Sequence, residues 1–104
     1  MQEIDVTALA ALGENAVVLD VREPDEYTGG HVPGAVLIPL GEVVQRFDEV
    51  PQGDPLYVIC HSGGRSARAA AWLEQQGVEA VNVAGGTSAW IAAGQPVITG
   101  DRPR

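Results

Sequence analysis

Leu56-Tyr57-Val58-Ile59-Cys60-His61-Ser62-Gly63-Gly64-Arg65-Ser66-Ala67-Arg68-Ala69-Ala70-Ala71-Trp72-Leu73 is the stretch on which the fold turns. Its first four residues form a short apolar run without polar alternation, which reads as a strand covered on both faces. Two glycines then break the run. From Arg65 to Gln76 the composition becomes helical, with four alanines whose small size lets a helix lie close on a sheet. Trp72 and Leu73 supply bulk for the core, and Gly77 stops the helix. Strand, glycine loop and helix in that order form half of a parallel crossover unit.

The same grammar repeats outward. Ala16-Val17-Val18-Leu19, Ala35-Val36-Leu37-Ile38 and Ala80-Val81-Asn82-Val83 are further buried-strand runs, and a weaker fifth lies around Glu3-Ile4-Asp5. Helices are expected at Thr7–Leu12, Leu40–Glu49 and Thr87–Ala93, each followed by Gly or Pro. Alternation of this kind gives an α/β domain with a parallel sheet. Residues 1–98 are read as one domain and residues 99–104 as a flexible C-terminal tail, because terminal polar residues with a proline seldom pack.

Composition bounds the function. The chain has 104 residues, fourteen acidic groups against six basic ones (all arginine), and a formal net charge of −8. Such a chain lacks the basic stripe that phosphate backbones require, so nucleic acid is not expected as a partner. No apolar run approaches the ~20 residues that span a bilayer, so no membrane is expected either. The acidic N-terminus lacks the layout of a secretory signal, and the cytoplasm is the expected compartment. One cysteine cannot form an internal disulfide, and with two histidines it is too little for an ordinary closed zinc site. No metal or cofactor is expected.

Cys60 sits at the carboxyl end of its strand, where open α/β sheets bind ligands. Gly63 and Gly64 allow positive φ, so that successive amides of residues 61–66 can turn inward as an anion-holding nest. The start of the following helix adds unpaired N–H groups, and Arg65 adds a fixed cation. All three favour thiolate over thiol, so the pKa should fall below the unperturbed ~8.5. A lone cysteine is otherwise most often a buried, inert hydrophobe, and this placement argues for a nucleophile instead.

The segment Cys60-His61-Ser62-Gly63-Gly64-Arg65-Ser66 resembles the active-site loop of the rhodanese family, of pattern Cys-x-x-Gly-x-Arg. The likeness runs over roughly residues 3–98. Leu19-Asp20-Val21-Arg22 and Gly30-His31-Val32-Pro33-Gly34-Ala35 resemble the family's N-terminal signatures. Gly85-Gly86-Thr87-Ser88-Ala89-Trp90 with Gly94-Gln95-Pro96-Val97 resembles its C-terminal one. The resemblance implies a three-layer α/β/α sandwich around a five-stranded parallel sheet. It also implies sulfur transfer, with Cys60 carrying sulfur as a persulfide and His61, Ser62, Gly63, Gly64, Arg65 and Ser66 cradling it. The donor would be a small sulfane-sulfur molecule such as thiosulfate. With no second cysteine, the acceptor must come from outside, as cyanide or as a thiol on a small molecule or a protein.

Two alternatives stand beside this reading. One is a non-enzymatic module that binds a partner or relays sulfur; the intact Cys60 and Arg65 argue against it. The other is a cysteine phosphatase. Related phosphatases use Cys-x5-Arg around a tetrahedral phosphate, whereas only residues 61–64 separate Cys60 from Arg65 here. Among the remaining residues, His61 is expected to face solvent and His31 to hold a loop. Asp20 and Arg22 are expected to form a structural ion pair, and Trp72 and Trp90 to pack in the core. Arg68, three residues after Arg65, is expected on the same helix side.

Overall fold

The computed structural model describes residues 2–104. Five strands form one parallel sheet: β1 Gln2–Ile4, β2 Val17–Asp20, β3 Val36–Leu37, β4 Leu56–Ile59 and β5 Ala80–Val83. Their spatial order is β1-β5-β4-β2-β3, so β4, which leads into Cys60, lies at the centre. Four helices accompany them: α1 Val6–Leu12, α2 Pro24–Gly29, α3 Gly64–Gln75 and α4 Gly86–Ala92. The three-layer arrangement follows from how the strands divide their side chains. On β4, Leu56 and Val58, with Cys60 just beyond, join Ala69, Ala70 and Leu73 of α3 in one core. Ile59 and Tyr57 point the other way, into a second core with Leu9 of α1 and Trp90 of α4. Side chains alternate across a strand, so a run that is apolar at every position buries both faces. Leu56, Val58 and Leu73 are fully buried, and each contributes about 1.5–3 kcal/mol by leaving water.

Helix Leu40–Glu49 does not form. Two short 3-10 turns, Leu40–Glu42 and Phe47–Glu49, take its place. Gly41 and the β-branched pair Val43-Val44 weaken helix formation there. The Leu40 amide anchors the start of the segment on the Val21 carbonyl at 3.0 Å, and Val43 is buried against α3 and the sheet. Arg46 clamps the segment by reaching Glu42 at 2.8 Å and Glu49 at 2.9 Å.

Helix α2 carries no periodic apolar face and was not expected. It buries only Tyr27 among its six residues, and its signal is a capping box between Glu23 and Glu26 with Pro24 in the first turn.

Residues 99–104 are exposed but tied to the body. The Gly100 amide donates to the Thr28 carbonyl, the Pro103 carbonyl accepts from the Gly34 amide, and Arg104 pairs with Glu14 at 3.1 Å. Among the described residues, no helix is long and apolar enough to cross a membrane.

Candidate active site

Four residues, 60–63, link the end of β4 to the start of α3, and Cys60 is the first of them. The residue is buried. Its Sγ accepts a hydrogen bond from the Gly63 amide at 3.1 Å and from the Ser66 hydroxyl at 3.3 Å. Gly63 makes this turn at φ +113°, a left-handed conformation that side-chain-bearing residues rarely adopt. Burial pushes the Cys60 thiol up. The Ser66 hydroxyl and the backbone amides of Ser66, Gly63 and Ser62 outweigh it, and the thiol lies below its ordinary range. Hydrogen bonds to the charged form are the cause.

Of the loop residues 61–66, the Gly63 amide and the Ser66 hydroxyl are the groups that hydrogen-bond Sγ. His61 and Ser62 are exposed, as is Gly64, the first residue of α3. His61 turns its side chain to solvent while its carbonyl serves the scaffold.

That scaffold is the N-terminus of α4. The Thr87 amide donates to the Cys60 carbonyl at 2.8 Å, joined by the Thr87 hydroxyl at 3.1 Å, and the Ser88 amide donates to the His61 carbonyl at 2.9 Å. A Cβ on Gly86 would stand 2.5 Å from the Cys60 carbonyl oxygen and 2.6 Å from that of His61, so only glycine lets the two backbones meet. Asn82, buried on β5, donates to the Gly63 carbonyl at 3.3 Å and to Glu3 at 2.8 Å. The Gly85-Gly86-Thr87 signature thus braces the nucleophile's loop, a role that residue type alone does not state.

Arg65 does not point its fork at the sulfur. It grips Glu26 of α2 with two hydrogen bonds, Nη1 to Oε1 at 2.7 Å and Nη2 to Oε2 at 2.9 Å. The Arg65 bond holds the Glu26 carboxyl down, at about 2. In turn Glu26 raises Arg65, and the nearby Cys60 charge adds to that rise. Much of the Arg65 charge is therefore already answered by Glu26. Glu26 escaped the sequence reading because α2 did; the Glu23–Glu26 capping spacing was the available signal.

Helix α2 is positioned by the pair read as structural. Arg22 meets Asp20 at 2.9 Å, both side chains buried, and also donates to the Gly30 carbonyl at 2.9 Å. Removing one partner of such a pair costs about 3–5 kcal/mol. His31 stacks on Tyr27 with centroids 3.6 Å apart, and its ring nitrogens lie 2.8 Å from the Tyr27 and Arg102 carbonyl oxygens. It holds loop and tail together. Trp90 is core, its indole N–H donating to the Pro96 carbonyl at 2.7 Å. Trp72 is only half-buried, edge-on to Phe47.

A buried thiol with lowered pKa, held by one amide and one hydroxyl, is suited to nucleophilic attack. A family model described as "Rhodanese-like domain" matches residues 6–93. A sulfurtransferase of Allochromatium vinosum is 35% identical over 102 residues, covering 94% of this chain and 95% of that one. YrkF of Bacillus subtilis, named as a candidate sulfur carrier protein, is 49% identical over 78 residues, and the aligned part spans 42% of its length. Among solved structures, a rhodanese-related protein from Thermoplasma volcanium superposes with a TM-score of 0.89 at 35% identity, covering 94% of this chain and 98% of that one.

Proposed function

The chain belongs to the rhodanese-like domain family, and from that premise we propose that it is a sulfurtransferase whose carrier is Cys60. The observation that carries the proposal is the Sγ environment: hydrogen bonds at 3.1 and 3.3 Å from Gly63 and Ser66, and a thiol pKa below the ordinary value. The thiolate attacks the outer sulfur of a sulfane donor such as thiosulfate. The donor's S–S bond breaks, sulfite leaves with the electron pair, and Cys60 is left as a persulfide. The amides of residues 62, 63 and 66 hold its charge. An acceptor nucleophile then attacks the outer sulfur and frees the Cys60 thiolate. His61, Ser62, Gly63, Gly64, Arg65 and Ser66 form the binding loop in this scheme, with Arg65 acting through space. A lone reduced thiol suits a reducing compartment such as the cytoplasm.

The four-residue spacing between Cys60 and Arg65 supports sulfur over phosphoryl transfer, because the shorter ring encloses a smaller group. Steady-state kinetics with thiosulfate and cyanide test the scheme. Parallel double-reciprocal lines are expected, since the first product must leave before the second substrate reacts. Intersecting lines without an isolable sulfurated protein would mean direct transfer between bound substrates.

A further inference from the structure

Helix α3 carries a track that leads away from the thiol. Arg65, Arg68, Ala69 and Trp72 are spaced three and four residues apart and so share one helix face. Beyond Arg65 this face opens on a groove of about 370 Å3, lined by Leu40, Val43, Val44, Ala69 and Trp72, with Arg68 as its one charged group. Val44 is 62% exposed, and Phe47, packed edge-on against Trp72 with centroids 5.4 Å apart, is 38% exposed. Four of the six arginines are held in ion pairs: Arg22, Arg46, Arg65 and Arg104. Arg68 is exposed and belongs to no ion pair among the described residues. In a chain of net charge −8, a free cation beside exposed aliphatic side chains is out of keeping with its surroundings.

The groove and the Ser66 donor to Cys60 lie on the same helix. Ser66, which donates to Cys60 Sγ, lies two residues before Arg68 and six before Trp72, so the track runs roughly 3–9 Å along the helix axis. Val43 and Ala69 share the core that contains Cys60. Cyanide or sulfite needs none of this surface. A thiol that must reach a buried cysteine does, because it has to be held while its own sulfur enters the loop.

We infer that the Leu40–Val44–Trp72 groove with Arg68 is the docking site for the sulfur acceptor, a protein segment that presents its cysteine beside an aliphatic side chain and a carboxylate. The inference rests on the sulfur-transfer reading above. The aliphatic side chain leaves water against Val44 and Trp72, and the carboxylate answers Arg68. The acceptor thiolate attacks the outer sulfur of the Cys60 persulfide, forming a new S–S bond. The bond from that sulfur to Cys60 breaks, and its electron pair stays on Cys60 as thiolate. Sulfur passes at an unchanged oxidation level, so no oxidant or reductant takes part.

The test separates loading from discharge. The full chain is sulfurated with polysulfide and desalted, and single-turnover discharge is followed by intact mass. The probes are two synthetic peptides, one with cysteine between leucine and glutamate and one with lysine in place of glutamate. Rates are expressed relative to cyanide discharge of the same protein. The wild type should favour the acidic peptide by about tenfold. Arg68→Glu should reverse that preference, and Val44→Asp should slow both peptides. Both substitutions lie at exposed positions, and circular dichroism confirms that each variant folds. Equal rates for the two peptides in wild type, or a preference that Arg68→Glu leaves in place, would overturn the docking site while leaving sulfur transfer intact. Failure of Cys60 to take up sulfur at all would overturn both.

Discussion

Replacing Gly86 by alanine puts one methyl carbon into the joint between α4 and the Cys60 loop. The new Cβ would stand 2.5 Å from the Cys60 carbonyl oxygen, 2.6 Å from the His61 carbonyl oxygen and 2.7 Å from the His61 carbonyl carbon. All three are backbone atoms, so no flexible side chain can yield. The φ of +60° costs alanine about 1–2 kcal/mol more than glycine. Relief of the overlap pulls the Thr87 and Ser88 amides from the carbonyls they now meet at 2.8 and 2.9 Å, at about 0.5–1.5 kcal/mol each. Together these predict a loss of about 2–5 kcal/mol. For a domain this size the melting temperature falls by roughly 4–8 °C for each kcal/mol. Gly94→Ala is the control, because Gly94 has φ +76° but nothing within 4 Å of a new Cβ, so it bears the conformational cost alone. Thermal denaturation by circular dichroism compares the two, and the rate of Cys60 alkylation by iodoacetamide reports on the loop. Gly86→Ala should be the less stable variant and the slower to react. Equal stabilities, with alkylation of Gly86→Ala unchanged, would refute the claim that α4 braces the nucleophile.

Two further substitutions separate the contributions to thiol reactivity. Ser66→Ala removes the hydroxyl donor at 3.3 Å; a hydrogen bond to a charged group is worth about 1.5–3 kcal/mol, so the pH midpoint of alkylation should rise by roughly one to two pH units. The sign follows from the lowered thiol pKa: wild type keeps reacting as pH falls below the ordinary thiol range, and the variant stops earlier. An unmoved midpoint would mean that the backbone amides alone set the thiolate. Arg65→Ala removes a cation that makes no hydrogen bond to Sγ and strands the Glu26 carboxylate nearby. Thiosulfate turnover should fall by about tenfold, equivalent to ~1.4 kcal/mol, well short of the ~2–4 kcal/mol for a direct transition-state donor. Adding Glu26→Gln should recover part of it. A thousandfold loss with an unchanged alkylation profile would show that Arg65 contacts the donor directly.

The central strand, its loop and α3 are legible in the sequence because each level of reasoning agrees there. Leu56–Ile59 are apolar at every position, the glycines break the run, and the alanines extend the helix. The Asp20–Arg22 pair is legible because the two charges stand together at a strand end, and His31 because it lies in the Gly30–Ala35 signature. What stays hidden is held by tertiary contacts. Leu40–Glu49 has helical spacing, yet Gly41 and the β-branched pair Val43-Val44 win. Helix α2 is too short to show a period, and Glu26 is hidden with it, so Arg65 reads as a free cation until its partner is seen. Residues 99–104 look loose in composition, but their carbonyls find Gly34 and His31.

Intact-mass spectrometry of the chain after incubation with thiosulfate tests the central claim most directly. The account predicts the gain of one sulfur atom per chain, its removal by cyanide, and no gain in Cys60→Ser folded as judged by circular dichroism. A wild-type chain that gains no sulfur, or a Cys60→Ser chain that gains as much, would contradict it.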